Sequence, residues 1–159
     1  MTSLHTGGEN TSHDRLVTGA RTLEELLAAA SARISRLEPR DAFAAASRGA
    51  LIVDIRSDDA RRRDGVVPGS LHIPRTVLEW RVAPDSASRT PHIRGPEQRL
   101  VLLCDHGCST VLAAAALVDF GFATAGDVIG GFVAWKEAGL PVVEAPPPAP
   151  GLPGMGPPS

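Results

Sequence analysis

The sequence predicts an α/β domain built on a parallel sheet with helices on both faces. Three observations lead there. Short apolar runs alternate along the chain with stretches of helical periodicity, the pattern of repeated strand–helix units. The apolar runs are continuous rather than alternating, as strands buried on both faces require. Finally, 159 residues with 43% apolar and 21% charged side chains suffice for one domain with one core and argue against wholesale disorder.

Each element has its own signal. Thr22 with Glu25 makes a capping box, and Leu23, Leu26, Leu27 and Ala30 recur on one face of the helix it opens. The end of that helix is open: Ile34 and Leu37 extend the stripe, or Arg33 to Leu37 form a short strand ahead of Glu38-Pro39. Asp41 to Ser47 reads as a second helix, with Gly49 placed to end it. Leu51 to Ile55 is a buried strand, and Asp58 to Asp64 a charged, exposed helical turn. Val67 to Ser70 is a turn, and Leu71 to Ile73 a very short strand before Pro74. Val77 to Val82 reads as helix and Ala83 to Pro96 as loop. Leu100 to Leu103 is the most apolar strand, and Thr110 to Phe120 an Ala-rich helix with Gly121 at its C′ position. Gly126 to Ile129 is the last strand, and Phe132 to Ala138 the last helix, stopped by Gly139 and Pro141.

The two ends differ from the middle. Residues 1–20 are rich in Thr, Ser, Gly and His and read as a flexible leader. Residues 144–159 carry half of the chain's 14 prolines and read as an extended, disordered tail. The folded unit is expected over residues 21–143. A net charge of −2 argues against nucleic acid as a partner. No apolar run is long enough to span a bilayer, so no membrane partner is expected. The polar start does not resemble a secretory signal. Two cysteines cannot make a disulfide scaffold, so the expected compartment is the cytoplasm. Of the 16 basic residues all but Lys136 are Arg, a bias that reflects GC-rich coding more than function.

In open parallel sheets, ligands bind outside the carboxyl ends of the strands, which directs attention to the residues just after Leu103. There the chain reads Cys104-Asp105-His106-Gly107-Cys108-Ser109-Thr110 and enters a helix. So short a loop must curl, and Gly107 supplies the needed φ freedom. Curling turns successive N–H groups inward as an anion nest, and the helix N-terminus adds partial positive charge. Both favour a thiolate at Cys104 over the free thiol, whose pKa is about 8.5. Cys104 is thus a candidate nucleophile. A small buried hydrophobe at a strand end is the alternative reading of the same residue.

Four segments widen the pattern: Leu51 to Arg56 with its Asp54-x-Arg56, Gly65 to Pro74 with its Val67-Pro68-Gly69-Ser70 turn, Leu100 to Thr110, and Gly126 to Trp135 with Gly130-Gly131 four residues ahead of Trp135. In order and spacing they resemble the rhodanese-like family. The resemblance implies a five-stranded parallel sheet and favours the strand reading of Arg33 to Leu37. It implies a cysteine, matched by Cys104, that takes a sulfane sulfur from a small donor, becomes a persulfide, and passes the sulfur to a thiol or cyanide-like acceptor. A protein sulfur carrier is a further partner class. The persulfide would be held by the loop amides of Asp105, His106, Gly107, Cys108, Ser109 and Thr110, with no metal and no cofactor. Asp54 and Arg56 would be structural, pairing to fix the strand end near the loop.

The sequence departs from the family pattern at three positions. Asp105 and Ser109 stand where many members carry Arg, and Val66 where His is common. A carboxylate about 6 Å from a dianion costs roughly 3 kcal/mol at an effective dielectric near 20, so weak turnover of thiosulfate is expected. A catalytically weak binding or regulatory module is accordingly the alternative function. Cysteine-dependent phosphatases would need Arg at position 110, which is Thr110. Cys104, His106 and Cys108 match no common zinc spacing. Cys108 is read as an idle thiol rather than a resolving one, and His106 as an exposed residue tuning local charge. Trp135 is read as a core anchor, and Arg61-Arg62-Arg63 as a solvated face.

Overall fold

The computed structural model describes residues 19–147. The expected leader and Pro-rich tail lie for the most part outside them. Helix α1 (Leu23–Ser31) opens on the capping box: the Thr22 hydroxyl accepts from the Glu25 amide at 3.1 Å, and Glu25 accepts from the Thr22 amide at 2.8 Å. Strand β1 (Ser35–Leu37) follows, so the strand reading of this segment holds. Helix α2 runs over Pro39–Ser47, two residues earlier than expected, because a proline at the first helical position loses no hydrogen bond.

Then come β2 (Leu51–Asp54), α3 (Asp58–Asp64) and β3 (Leu71–His72). A 3₁₀ turn at Arg75–Val77 leads into α4 (Leu78–Val82), so the expected helix from Val77 is split. Residues 83–99 carry neither helix nor strand, and their path is pinned by Thr90, whose amide donates to the Arg81 carbonyl at 2.9 Å. Strand β4 (Leu100–Leu103), α5 (Ser109–Asp119), β5 (Gly126–Val128) and α6 (Gly131–Glu137) are the last elements of the described residues.

The sheet has five strands in the order β1-β5-β4-β2-β3, every pair parallel. β4 lies at its centre, and all four of its residues are fully buried. They divide by the strand's period of two. Leu100 and Leu102 face a core with Leu78, Val82, Ala113, Ala114 and Leu117 from α4 and α5. Val101 and Leu103 face one with Ala42, Phe132 and Trp135 from α2 and α6. Trp135 is the expected anchor: it is fully buried, its indole N–H donates to the Pro141 carbonyl at 2.9 Å, and Phe43 meets it edge-on. Beyond α6, Val66 and Val143 exchange two main-chain hydrogen bonds of 2.8 and 2.9 Å. Among the described residues, no helix is long and apolar enough to cross a membrane.

Candidate active site

The central strand delivers Cys104 to the carboxyl edge of the sheet, and the loop beyond it folds around its sulfur. Two glycines shape that loop. Gly107 has φ +78°, and a Cβ there would lie 2.7 Å from the Gly130 amide nitrogen. Gly131 has φ +63°, and a Cβ there would collide with the Cys104 carbonyl and stand 2.6 Å from that of Asp105. The close approach lets the first amides of α6 take both carbonyls: Phe132 N–H donates to Cys104 O at 2.7 Å and Val133 N–H to Asp105 O at 3.1 Å. With the carbonyls drawn to α6, the Gly107 amide turns inward and donates to Cys104 Sγ at 3.2 Å.

The residue is only 7% exposed, and its surroundings pull the thiol both ways. Burial pushes its pKa up. Hydrogen bonds from the Ser109 and Thr110 hydroxyls, and from the Thr110 and Gly107 amides, outweigh burial and hold the thiol below its ordinary value. Of the amides expected to converge on the cysteine, that of Gly107 bonds the sulfur itself, and the Thr110 contact at 3.6 Å is made by its hydroxyl. Asp105 is half-buried, while His106, Cys108 and Ser109 are exposed. Cys108 occupies the cap position of α5, and both cysteines are free thiols. Among the described residues, no group of three or more His, Cys, Asp or Glu side chains is placed to hold a metal ion.

Asp54 and Arg56 form the expected brace. Arg56 donates from its backbone amide (3.1 Å) and Nε (3.0 Å) to Asp54 Oδ1, from Nη2 to Oδ2 (2.8 Å), and from Nη2 to the Gly65 carbonyl (2.8 Å). Its guanidinium lies over the Phe132 ring at 3.9 Å from the centroid. The brace holds two arginines. Arg61 is buried, with Nε 3.3 Å from Asp54 Oδ2, which corrects the reading of residues 61–63 as one solvated face; Arg62 and Arg63 are exposed. The third Arg56 nitrogen, Nη1, is buried 3.9 Å from Asp105 Oδ1. The carboxylate expected to repel an anionic donor thus has a cation beside it.

A second charged pair was missed in the sequence. Arg36 of β1 and Asp127 of β5 are register partners. Arg36 Nε and Nη2 hold the two Asp127 oxygens at 2.9 and 3.0 Å, and Nη2 also donates to the Gly107 carbonyl at 3.1 Å. Asp127 is fully buried and accepts from the Thr110 hydroxyl at 2.7 Å; Thr110 Oγ1 stands 3.6 Å from Cys104 Sγ. The bond to Asp127 raises the Arg36 pKa, and the nearby sulfurs of Cys104 and Cys108 act in the same direction. The available signal was a single opposite charge in each of two three-residue strands.

Three comparisons extend this geometry. A family model described as the Rhodanese-like domain matches residues 39–138. The thiosulfate sulfurtransferase GlpE of Stutzerimonas stutzeri is 36% identical over 102 residues, 64% of this chain and 84% of that protein. Among solved structures, a Rhodopseudomonas palustris protein of unknown function, described as a possible tyrosine phosphatase, superposes with a TM-score of 0.71 at 32% identity, covering 77% of this chain and 95% of that one. The polysulfide-sulfur transferase homodimer of Wolinella succinogenes gives 0.62 at 28% identity, over 77% of this chain and 87% of that one. With the sheet order, the cysteine loop and the family pattern in agreement, the chain belongs to the rhodanese-like family of sulfurtransferases.

Proposed function

We propose that residues 21–143 form a single sulfurtransferase unit working through Cys104. The thiolate attacks the outer sulfur of a sulfane donor such as thiosulfate; the S–S bond of the donor breaks, sulfite leaves with its electron pair, and Cys104 becomes a persulfide. A thiol or cyanide-like acceptor then attacks the terminal sulfur, and the Cys104 thiolate is regenerated. Each step is a displacement at sulfur, and neither calls for a metal or cofactor. A protein sulfur carrier with a reactive thiol is an acceptor of the same class. A reducing cytoplasm suits a chain with two free thiols.

The observation that carries this reading is the Gly107 amide 3.2 Å from Cys104 Sγ, a main-chain donor aimed at the atom that must bear negative charge before and after sulfur transfer. The phosphatase reading lacks its arginine, since position 110 is a threonine bonded to Asp127.

A second reading, a module that binds a partner and turns over little, is favoured by Asp105 and Ser109 standing where many family members carry Arg. Intact mass after incubation with thiosulfate, polysulfide or a persulfide donor separates the two. The transferase gains one sulfur atom and loses it on adding cyanide, and Cys104→Ser gains none. No gain with any donor would overturn the transferase and leave the module.

A further inference from the structure

The Thr110 hydroxyl has one hydrogen and two neighbours that compete for it. Asp127 Oδ2 lies at 2.7 Å and Cys104 Sγ at 3.6 Å. Asp127 is a fully buried carboxylate held by Arg36 through two hydrogen bonds. A hydroxyl this close to a carboxylate gives it the hydrogen, because charge-assisted bonds are the shorter and stronger ones. While Cys104 is a thiol, Thr110 therefore offers a lone pair to the sulfur, and the S–H donates to it. The chain reads S–H to Oγ1, then O–H to carboxylate, with every polar atom satisfied.

Ionisation changes the demand. A bare thiolate beside a hydroxyl lone pair is repelled. Asp127 can release the hydrogen because Arg36 still supplies Nε at 2.9 Å and Nη2 at 3.0 Å. Rotation about the Thr110 side chain then turns the hydrogen to the sulfur, where it joins the Gly107 amide.

We infer that Thr110 is a two-position donor, and that Asp127, held by Arg36, competes with Cys104 for its hydrogen and so sets the acidity of the nucleophile. Thr110 touches the reacting sulfur; Asp127 and Arg36 act through it as positioning residues. The thiol proton itself leaves to solvent. The same donor serves the persulfide anion, and that extension rests on the sulfur-transfer reading.

Other charged or titratable groups surround the loop: Arg56, after β2, facing Asp105, and His106 and Cys108 within the loop itself. All are left unchanged in the test, which reads the pH dependence of Cys104 alkylation by iodoacetamide, with Cys104 and Cys108 resolved by fragment mass spectrometry. Thr110→Val removes the hydroxyl and is expected to lower the thiolate fraction near neutrality by about tenfold. Thr110→Ser keeps the hydroxyl and is expected to restore the wild-type profile. Asp127→Asn weakens the competitor, so the thiol becomes more acidic.

The decisive comparison is Asp127→Asn in the Thr110→Val background. If Thr110 mediates the effect, most of the Asp127→Asn shift disappears. If Asp127 acts by its charge alone, or through release of Arg36, the shift persists undiminished and the inference falls. An unchanged profile in Thr110→Val would sink it equally. None of these readouts requires sulfur transfer, so failure of Cys104 to take up sulfur leaves the acidity result standing, and the converse holds.

Discussion

Asp54 and Arg56, two positions apart, close a small ring: one carboxylate oxygen accepts the Arg56 backbone amide and Nε, and the other its Nη2 at 2.8 Å. The pair is buried on both sides, with side-chain exposures of 1% and 0%. Arg61 leans on the same carboxylate, so two buried cations meet at one buried anion, with the more exposed Asp105 and Asp58 carboxylates 3.9 and 4.0 Å from their outer nitrogens. Asp54→Asn should therefore cost about 3–5 kcal/mol, the penalty for leaving a buried charge uncompensated. Arg61→Met, which leaves the Arg56–Asp54 pair intact, should cost far less. Urea denaturation of both variants tests the ordering, and equal losses would refute the shared-anion account.

Gly131→Ala should damage the cysteine loop more than the fold. The added methyl meets the main chain of Cys104 and Asp105, and the residue has φ +63°. Strain of this kind costs on the order of 1–3 kcal/mol. The domain should stay folded, but Phe132 and Val133 lose their seats on the two carbonyls and the Gly107 amide loses its aim. The expected outcome is a native circular dichroism spectrum with Cys104 alkylation at neutral pH slowed toward that of a free thiol.

Cys104 should become reactive below the ordinary thiol range. Its burial opposes ionisation, but the hydrogen bonds from Ser109, Thr110 and Gly107 prevail and lower its pKa. Alkylation rate against pH should reach half its plateau below about 8.5, and Cys104→Ser should abolish that titration. The stability consequence has a definite sign. A group that titrates lower in the fold than in the unfolded chain contributes stability that is complete above the unfolded pKa and is lost as pH falls through the folded one. Wild type relative to Cys104→Ser should thus gain stability between its lowered pKa and about pH 8.5.

Asp105→Asn should improve turnover of thiosulfate. The carboxylate is 41% exposed and lies 3.9 Å from Arg56 Nη1, so its repulsion of a dianion is already reduced by solvent and by that cation. Removing it should raise kcat/KM for thiosulfate by about threefold to tenfold, with the gain shrinking as salt is added. An uncharged persulfide donor should show no such gain. A gain of equal size for both donors would point to altered loop structure instead of altered charge.

The layered fold was legible because its adjacent inner strands β2 and β4 are apolar runs and its helices carry strong stops, such as Gly121 after α5 and Gly139 after α6. Cys104 was legible for a similar reason: strand, glycine-bearing loop and helix lie adjacent in the chain. Arg36 and Asp127 were not. They sit 91 residues apart, in strands too short to display a period, and only the sheet order brings them into register. Arg61 was misread because its neighbours Arg62 and Arg63 do face solvent, and a run of like charges hides the member that turns inward. Helix starts erred by one or two residues, as at α5 and at α2, where a proline takes the first helical position.

The seats that Phe132 and Val133 offer to the two carbonyls have an evolutionary corollary. The path of the loop around the sulfur is held by peptide groups, and peptide groups do not mutate. Positions 105, 106 and 108 can therefore drift in size and polarity beneath an unaltered reaction. Within such a lineage, changes of clientele should come by single substitutions at those three positions, while the glycines that let one peptide chain nest against another stay fixed.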